Sequence, residues 1–180
     1  VLRERGRELG YVERDVLDPA CGLPIGRVAE GDARTVRAAV ESALAARIPP
    51  AAERAALGER AADLLEERTV EFLALLAREA GRTLPDGLGE VREAVDFCRY
   101  YAMLARRDFA EPKVLPGPTG EANRLELAGR GPFACISPWN FPLAIFMGQV
   151  AAAFAAGNAA LAKPAEQTPL VGSAAVRVLL

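Results

Sequence analysis

The stretch Gly131 to Leu170, GPFACISPWNFPLAIFMGQVAAAFAAGNAALAKPAEQTPL, decides the fold. From Gly131 to Ala162 it holds no charged residue, in a chain that is 26% charged. A run of that length has the size of a membrane span, but its punctuation divides it. Pro138 and Pro142 break it early, and Gly157-Asn158 is a turn signal late. What remains is a short apolar piece over 133–137, an Ala-rich piece over 143–156 and a second short apolar piece over 159–162. These lengths predict strand, helix, strand, with both strands buried on both faces. The pattern is a βαβ unit with a right-handed crossover. Ligands of such units sit beyond the carboxyl ends of the strands. Asn140 follows the first strand and Lys163 the second.

Composition sets the bounds. The 180 residues are 51% hydrophobic, enough for the core of one or two domains. A net charge of −2 gives no electrostatic reason to bind nucleic acid or a membrane surface. The opening Val1-Leu2-Arg3-Glu4 is charged and unlike a signal peptide. Cys21, Cys98 and Cys135 are odd in number and far apart, which fits free thiols in a reducing, cytoplasmic setting. The absence of histidine excludes, within this chain, Ser–His and Cys–His nucleophiles, an HExxH zinc site and a histidine general base. No metal site is expected. The first residue is not Met, and Val178-Leu179-Leu180 stop inside an uncapped apolar helical pattern. The chain therefore reads as part of a longer polypeptide, with further strands expected downstream.

The expected organisation is a mostly helical part over 1–111, a linker with the start of a flap over 112–131, and the beginning of a sheet domain over 132–180. Residues 1–32 read as short extended pieces and turns. Asp32 is the expected N-cap of a helix over 33–47, with Val36, Val40 and Leu44 on one face. A second helix is expected over 51–67. A third, capped by Thr69, runs over 70–80 and ends at Gly81. A loop over 83–87 precedes a long helix over 88–107, whose stripe is Val91, Val95, Cys98 and Ala102. The charges on these helices read as solvated faces. The Pro- and Gly-rich segment 112–120 reads as linker, 123–128 as a strand, and Thr168 as the cap of a last helix near Pro169.

Three polar residues fall where chemistry would sit. The Asn140 amide, at a strand-to-helix junction, suits a hydrogen bond to a developing oxyanion, and equally a turn or N-cap role. Lys163 ends a buried strand, where an ammonium must reach solvent or a ligand. Glu166 is close enough to join Lys163 around a hydroxylated ligand, or merely to pair with it. The loops GxGxxG and GxxxxGK[ST] are absent, so a dinucleotide site would be built differently. Cys135, inside an apolar strand, and Cys98, on a helix stripe, read as packing residues with inert thiols. Cys21 has no partner near it in sequence.

ISPWNFPL (Ile136–Leu143), the Gly157-Asn158 turn and KPAEQTPL (Lys163–Leu170) resemble the cofactor-binding core of the aldehyde dehydrogenase superfamily. REAGRTLPDGLGEVREAVDFCRYYA (Arg78–Ala102) and the GPTGEANRL that follows resemble, more narrowly, the L-glutamate γ-semialdehyde (Δ1-pyrroline-5-carboxylate) dehydrogenase module of bifunctional proline-utilisation proteins. The resemblance implies an α/β fold: an N-terminal helical segment leading into the first βαβ of a Rossmann-like parallel sheet. It implies that Asn140 is the oxyanion-stabilising asparagine, and that Ile136, Ser137, Pro138 and Trp139 lie against NAD. Lys163 and Glu166 would bind the adenosine ribose, and a carboxylate there favours NAD over NADP. Glu93 is similar to a glutamate facing the substrate's amino end. The strand at 123–128 resembles the start of an oligomerisation flap, implying a homo-oligomer. The implied activity is oxidation of glutamate γ-semialdehyde to glutamate in proline catabolism. FAD belongs only to an upstream proline dehydrogenase domain. The family's nucleophilic cysteine, general-base glutamate and second glycine-rich loop would all lie downstream, and Cys135 does not match the nucleophile. Two alternatives stand beside this: an enzyme for another aldehyde, such as succinate semialdehyde, and an inactive fragment that only binds or assembles.

Overall fold

The computed structural model describes residues 12–179. Strands β1 (Val12–Leu17) and β2 (Pro24–Glu30) form an antiparallel hairpin. The extended pieces and turns expected over 1–32 are, from residue 12 on, this one hairpin; residues 1–11 lie outside the described residues. Asp18 builds the turn: its carboxylate accepts from the Ala20 amide at 2.9 Å and its carbonyl from Gly22 at 2.8 Å. Cross-strand pairs, Arg14–Glu30 at 2.7 Å and Arg27–Asp15 at 3.0 Å, hold strands that lack a clean apolar alternation.

Helix α1 (Ala33–Leu44) is capped by Asp32, which accepts from the Arg34 and Thr35 amides at 3.0 and 2.9 Å. It stops short of the expected Arg47, and none of its residues is buried. The expected apolar face is only partly covered: Val40 is half-buried, while Val36 and Leu44 are exposed.

Helices α2 (Ala51–Glu67) and α3 (Thr69–Ala80) are separated only by Arg68. Contrary to expectation, Thr69 does not cap α3, whose N-cap is Arg68; its hydroxyl instead donates to the Glu66 carbonyl at 2.7 Å and closes the end of α2. Gly81, at φ 65°, ends α3. Helix α4 (Leu84–Asp108) starts inside the expected loop. Thr83 caps it, and Pro85 sits in the first turn, where a missing N–H costs nothing. The linker carries strand β3 (Lys113–Leu115), antiparallel to β4 (Asn123–Leu125), which is shorter than the strand expected over 123–128.

The βαβ unit forms where the sequence puts it. Strands β5 (Phe133–Ile136) and β6 (Ala160–Lys163) are parallel, and α5 (Ala144–Ala155) connects them. Helix α6 (Pro169–Leu179) follows. Burial on both faces is not realised: Phe133 and Ile136 are 44% and 64% exposed, and of β5 only Cys135 is buried. A two-stranded sheet buries few of its outward side chains.

One core joins the helices to this unit. It packs Leu65, Phe72 and Leu76 with Val91, Val95 and Cys98, and these with Phe146, Met147, Val171 and Ala175. Asn158 locks the unit's far end. Its buried side chain accepts from the Arg130 and Gly131 amides at 2.6 and 3.2 Å and donates to the Ala153 carbonyl at 3.1 Å. Gly129 is required beside it, because a Cβ there would lie 1.9 Å from the Gly157 carbonyl oxygen.

Candidate functional site

Ile136 and Lys163 are register partners at the ends of β5 and β6. Asn140 and Lys163 therefore emerge from the same, carboxyl, end of the sheet. Ser137 joins the strand ends: its amide and hydroxyl both donate to the Lys163 carbonyl, at 3.2 and 3.4 Å. Ser137 is buried and Pro138 half-buried, whereas Ile136, Trp139, Asn140, Lys163 and Glu166 are exposed. The result is an open ledge carrying an aromatic ring, an amide, an ammonium and a carboxylate.

The pairing reading of Lys163 and Glu166 is not what forms. Lys163 makes no ion pair among the described residues. The Glu166 carboxylate accepts from the Gln167 amide at 3.3 Å, and its carbonyl accepts from the Arg14 guanidinium at 2.6 Å. Both side chains remain available to a ligand.

Asn140 is not the N-cap of α5. That position is Leu143, without a side-chain cap of its own. The free amides of Leu143 and Ala144 instead donate to one oxygen of Glu90, on α4, at 2.7 and 3.3 Å. The other Glu90 oxygen accepts from Arg82 at 3.2 Å. Arg82 also donates to the Asn140 carbonyl and lies 4.4 Å above the Phe141 ring.

Helix α6 is begun the same way. Leu170 and Val171 donate to the two oxygens of Glu79, on α3, at 2.7 Å each. Thr168, the expected cap, is buried with its hydroxyl unpartnered. At the far end of α5, Arg54 donates to the Ala155 carbonyl at 3.1 Å. Carboxylates at helix N-termini and a guanidinium at a C-terminus also complement the helix dipole.

Glu79, Glu90 and Arg54 are thus buried structural charges, which corrects the reading of the helix charges as solvated faces. The overlooked signal was spacing. Glu79 continues Phe72 and Leu76 at i, i+4, i+7, and Glu90 lies between buried Gly87 and Ala94. The arrangement has a chemical consequence. The N-termini of α5 and α6 are filled by the chain's own carboxylates, so neither offers free amides to a phosphate.

Glu93 is exposed, one turn beyond Glu90 and one before Phe97. Phe97 packs on Gly148, where an added Cβ would come within 3.0 Å of the ring, so Glu93 lies on the side of α4 turned toward α5. Burial pushes the Cys98 thiol up to about 11, and that of Cys135 upward too. Such thiols are poor nucleophiles at neutral pH. Cys21 sits exposed in the β1–β2 turn.

A separate apolar cavity of about 410 Å³ is lined by Leu57, Leu64, Tyr101, Phe154 and Val178. Ala160, the first residue of β6, also borders it, which places it at the opposite end of the sheet from Asn140. Among the described residues no helix is long and apolar enough to cross a membrane, and no cluster of three metal-binding side chains occurs.

The model of the family described as "Aldehyde dehydrogenase family" matches residues 10–180. Bifunctional protein PutA of Escherichia coli is 48% identical over 160 residues, which is 87% of this chain and 11% of that protein. The 1-pyrroline-5-carboxylate dehydrogenase of Anoxybacillus flavithermus is 39% identical over 162 residues, 86% of this chain and 31% of that protein. The chain thus spans less than a third of the length of these curated relatives. A crystal structure of an NAD-dependent benzaldehyde dehydrogenase from Corynebacterium glutamicum superposes with a TM-score of 0.84 at 33% identity, covering 93% of this chain and 38% of that one.

Proposed function

The chain belongs to the aldehyde dehydrogenase family, and from that premise we propose that it is part of an NAD-dependent enzyme oxidising L-glutamate γ-semialdehyde to L-glutamate in proline catabolism. The similarity to a bifunctional PutA and to a 1-pyrroline-5-carboxylate dehydrogenase supports this substrate. The division at 111/112 and 131/132 belongs to the same reading: a helical part, a flap region and the start of the NAD-binding sheet. So do a cytoplasmic homo-oligomer and a separate FAD-binding proline dehydrogenase domain.

The observation that carries the proposal is Asn140. Its side chain is exposed at the carboxyl end of β5 while its backbone is held by Arg82. The amide N–H is then free to donate to the aldehyde oxygen as a thiolate adds to the carbonyl and the oxygen becomes anionic. Neither buried cysteine of this chain suits that thiolate.

The ledge fits the adenosine half of a dinucleotide. Ile136 and Trp139 offer apolar surface, Lys163 and Glu166 offer partners for ribose hydroxyls, and the filled helix N-termini leave the pyrophosphate to other groups. NAD, when bound, accepts the hydride. Glu93 would face the amino end of the substrate. In the full-length enzyme, Asn140→Ala is expected to lower kcat by roughly a hundred- to a thousandfold, or about 3–4 kcal/mol in barrier. Near-normal turnover of that variant refutes the oxyanion role.

A further inference from the structure

We propose that Arg82 and Glu90 are positioning residues that aim the Asn140 amide; this rests on the reading of Asn140 as the oxyanion donor. Three observations converge on the pair. The Asn140 side chain has no hydrogen-bond partner among the described residues, so the fold holds it only through the backbone that sets its Cα–Cβ direction. That backbone is pinned at the Asn140 carbonyl and again at the start of α5, three residues on. Arg82 donates to the Asn140 carbonyl and covers the Phe141 ring at 4.4 Å. Glu90 takes the Leu143 and Ala144 amides at 2.7 and 3.3 Å. The two clamps are one unit, because the second Glu90 oxygen accepts from Arg82 at 3.2 Å. The Glu90 side chain is 0% exposed and that of Arg82 21%, so the pair is shielded from competing water. A buried carboxylate must be compensated, and here its compensating cation is also the hand on Asn140. Arg82 and Glu90 come from α4 and the loop before it, outside the βαβ unit that carries Asn140. A donor displaced by an ångström loses most of its worth in the transition state.

The test is a double-mutant cycle in the full-length enzyme, with Asn140→Ala, Arg82→Met and the double variant. For Arg82→Met the expected result is a tenfold or greater loss of kcat, with KM for the aldehyde and Kd for NAD within twofold. The double variant is expected to be no more than about twofold slower than Asn140→Ala, because a donor already removed cannot be misplaced. Arg82→Lys, which keeps a cation beside Glu90, should recover part of the loss. Effects that multiply in the double variant, or unchanged kcat in folded Arg82→Met, overturn the proposal while leaving the oxyanion role intact. Full turnover of Asn140→Ala alone overturns both. Should Arg82→Met not fold, Phe141→Ala removes the ring beneath the guanidinium and the same cycle decides. Non-multiplying losses uphold the clamp; multiplying losses or unchanged kcat reject it.

Discussion

Glu166 and Lys163 show how a residue's role follows from what it does not touch. Two opposite charges three residues apart ordinarily find each other at a surface, yet here the Lys163 ammonium and the Glu166 carboxylate are exposed without an ion pair between them. An exposed pair would contribute little stability in any case, so leaving them apart costs little and keeps both open to a ligand. A carboxylate among ribose hydroxyls accepts hydrogen bonds from a free 2′-hydroxyl and repels a 2′-phosphate. Glu166→Gln keeps the hydrogen-bonding shape and removes the charge. In the full-length enzyme it is expected to lower the NAD-over-NADP ratio of kcat/KM by about tenfold, the factor that about 1.4 kcal/mol represents. An unchanged ratio excludes this carboxylate as the selector.

At the scale of elements, the helices of the βαβ unit are begun by side chains from other helices. Glu90 on α4 serves α5, and Glu79 on α3 serves α6. Each carboxylate replaces a local cap, docks one helix on another, and fixes the loop that follows a strand. Burial pushes the Glu79 carboxyl above its ordinary value of 4.5, outweighing the two amide bonds that draw it down. The sign of the resulting pH dependence is fixed by proton counting. Between 4.5 and the raised folded value, the folded state keeps a proton that the unfolded chain has lost. The Glu79 contribution to stability is therefore fully present below that window and is lost as pH rises through it. Glu79→Gln cannot ionise, so it is expected to flatten that decline in denaturant midpoints measured across the window. A variant curve running parallel to the wild-type curve would rule out Glu79 as its source.

The whole molecule depends on a core that crosses the sequence divisions. Phe146 of α5 is fully buried within the cluster that also holds Phe72, Leu76 and Val95. Its edge lies 3.7 Å from where a Cβ on Gly172 of α6 would stand. Truncation there leaves a cavity with walls from three helices that are already close-packed. Phe146→Ala is expected to cost about 3–5 kcal/mol, read from denaturant midpoints. A loss under about 1 kcal/mol would mean that the helices close over the gap.

The sequence by itself determined the elements whose signals are local. The uncharged run with its two prolines and the Gly157-Asn158 turn specifies β5, α5 and β6, and the 3.6-residue stripe of Val91, Val95, Cys98 and Ala102 specifies the buried side of α4. Such patterns are written within a few turns of one chain segment, and propensity reads them. Only the tertiary structure decided what completes the site. Glu90 lies 53 residues from the amide it caps and Glu79 lies 91 from its own, so each looks like a solvated helix charge until its partner helix arrives. The same distance in sequence hid Arg82, 58 residues from the Asn140 carbonyl that it holds. A buried charge is tolerated only where opposite dipoles converge on it, and that convergence exists in no single segment.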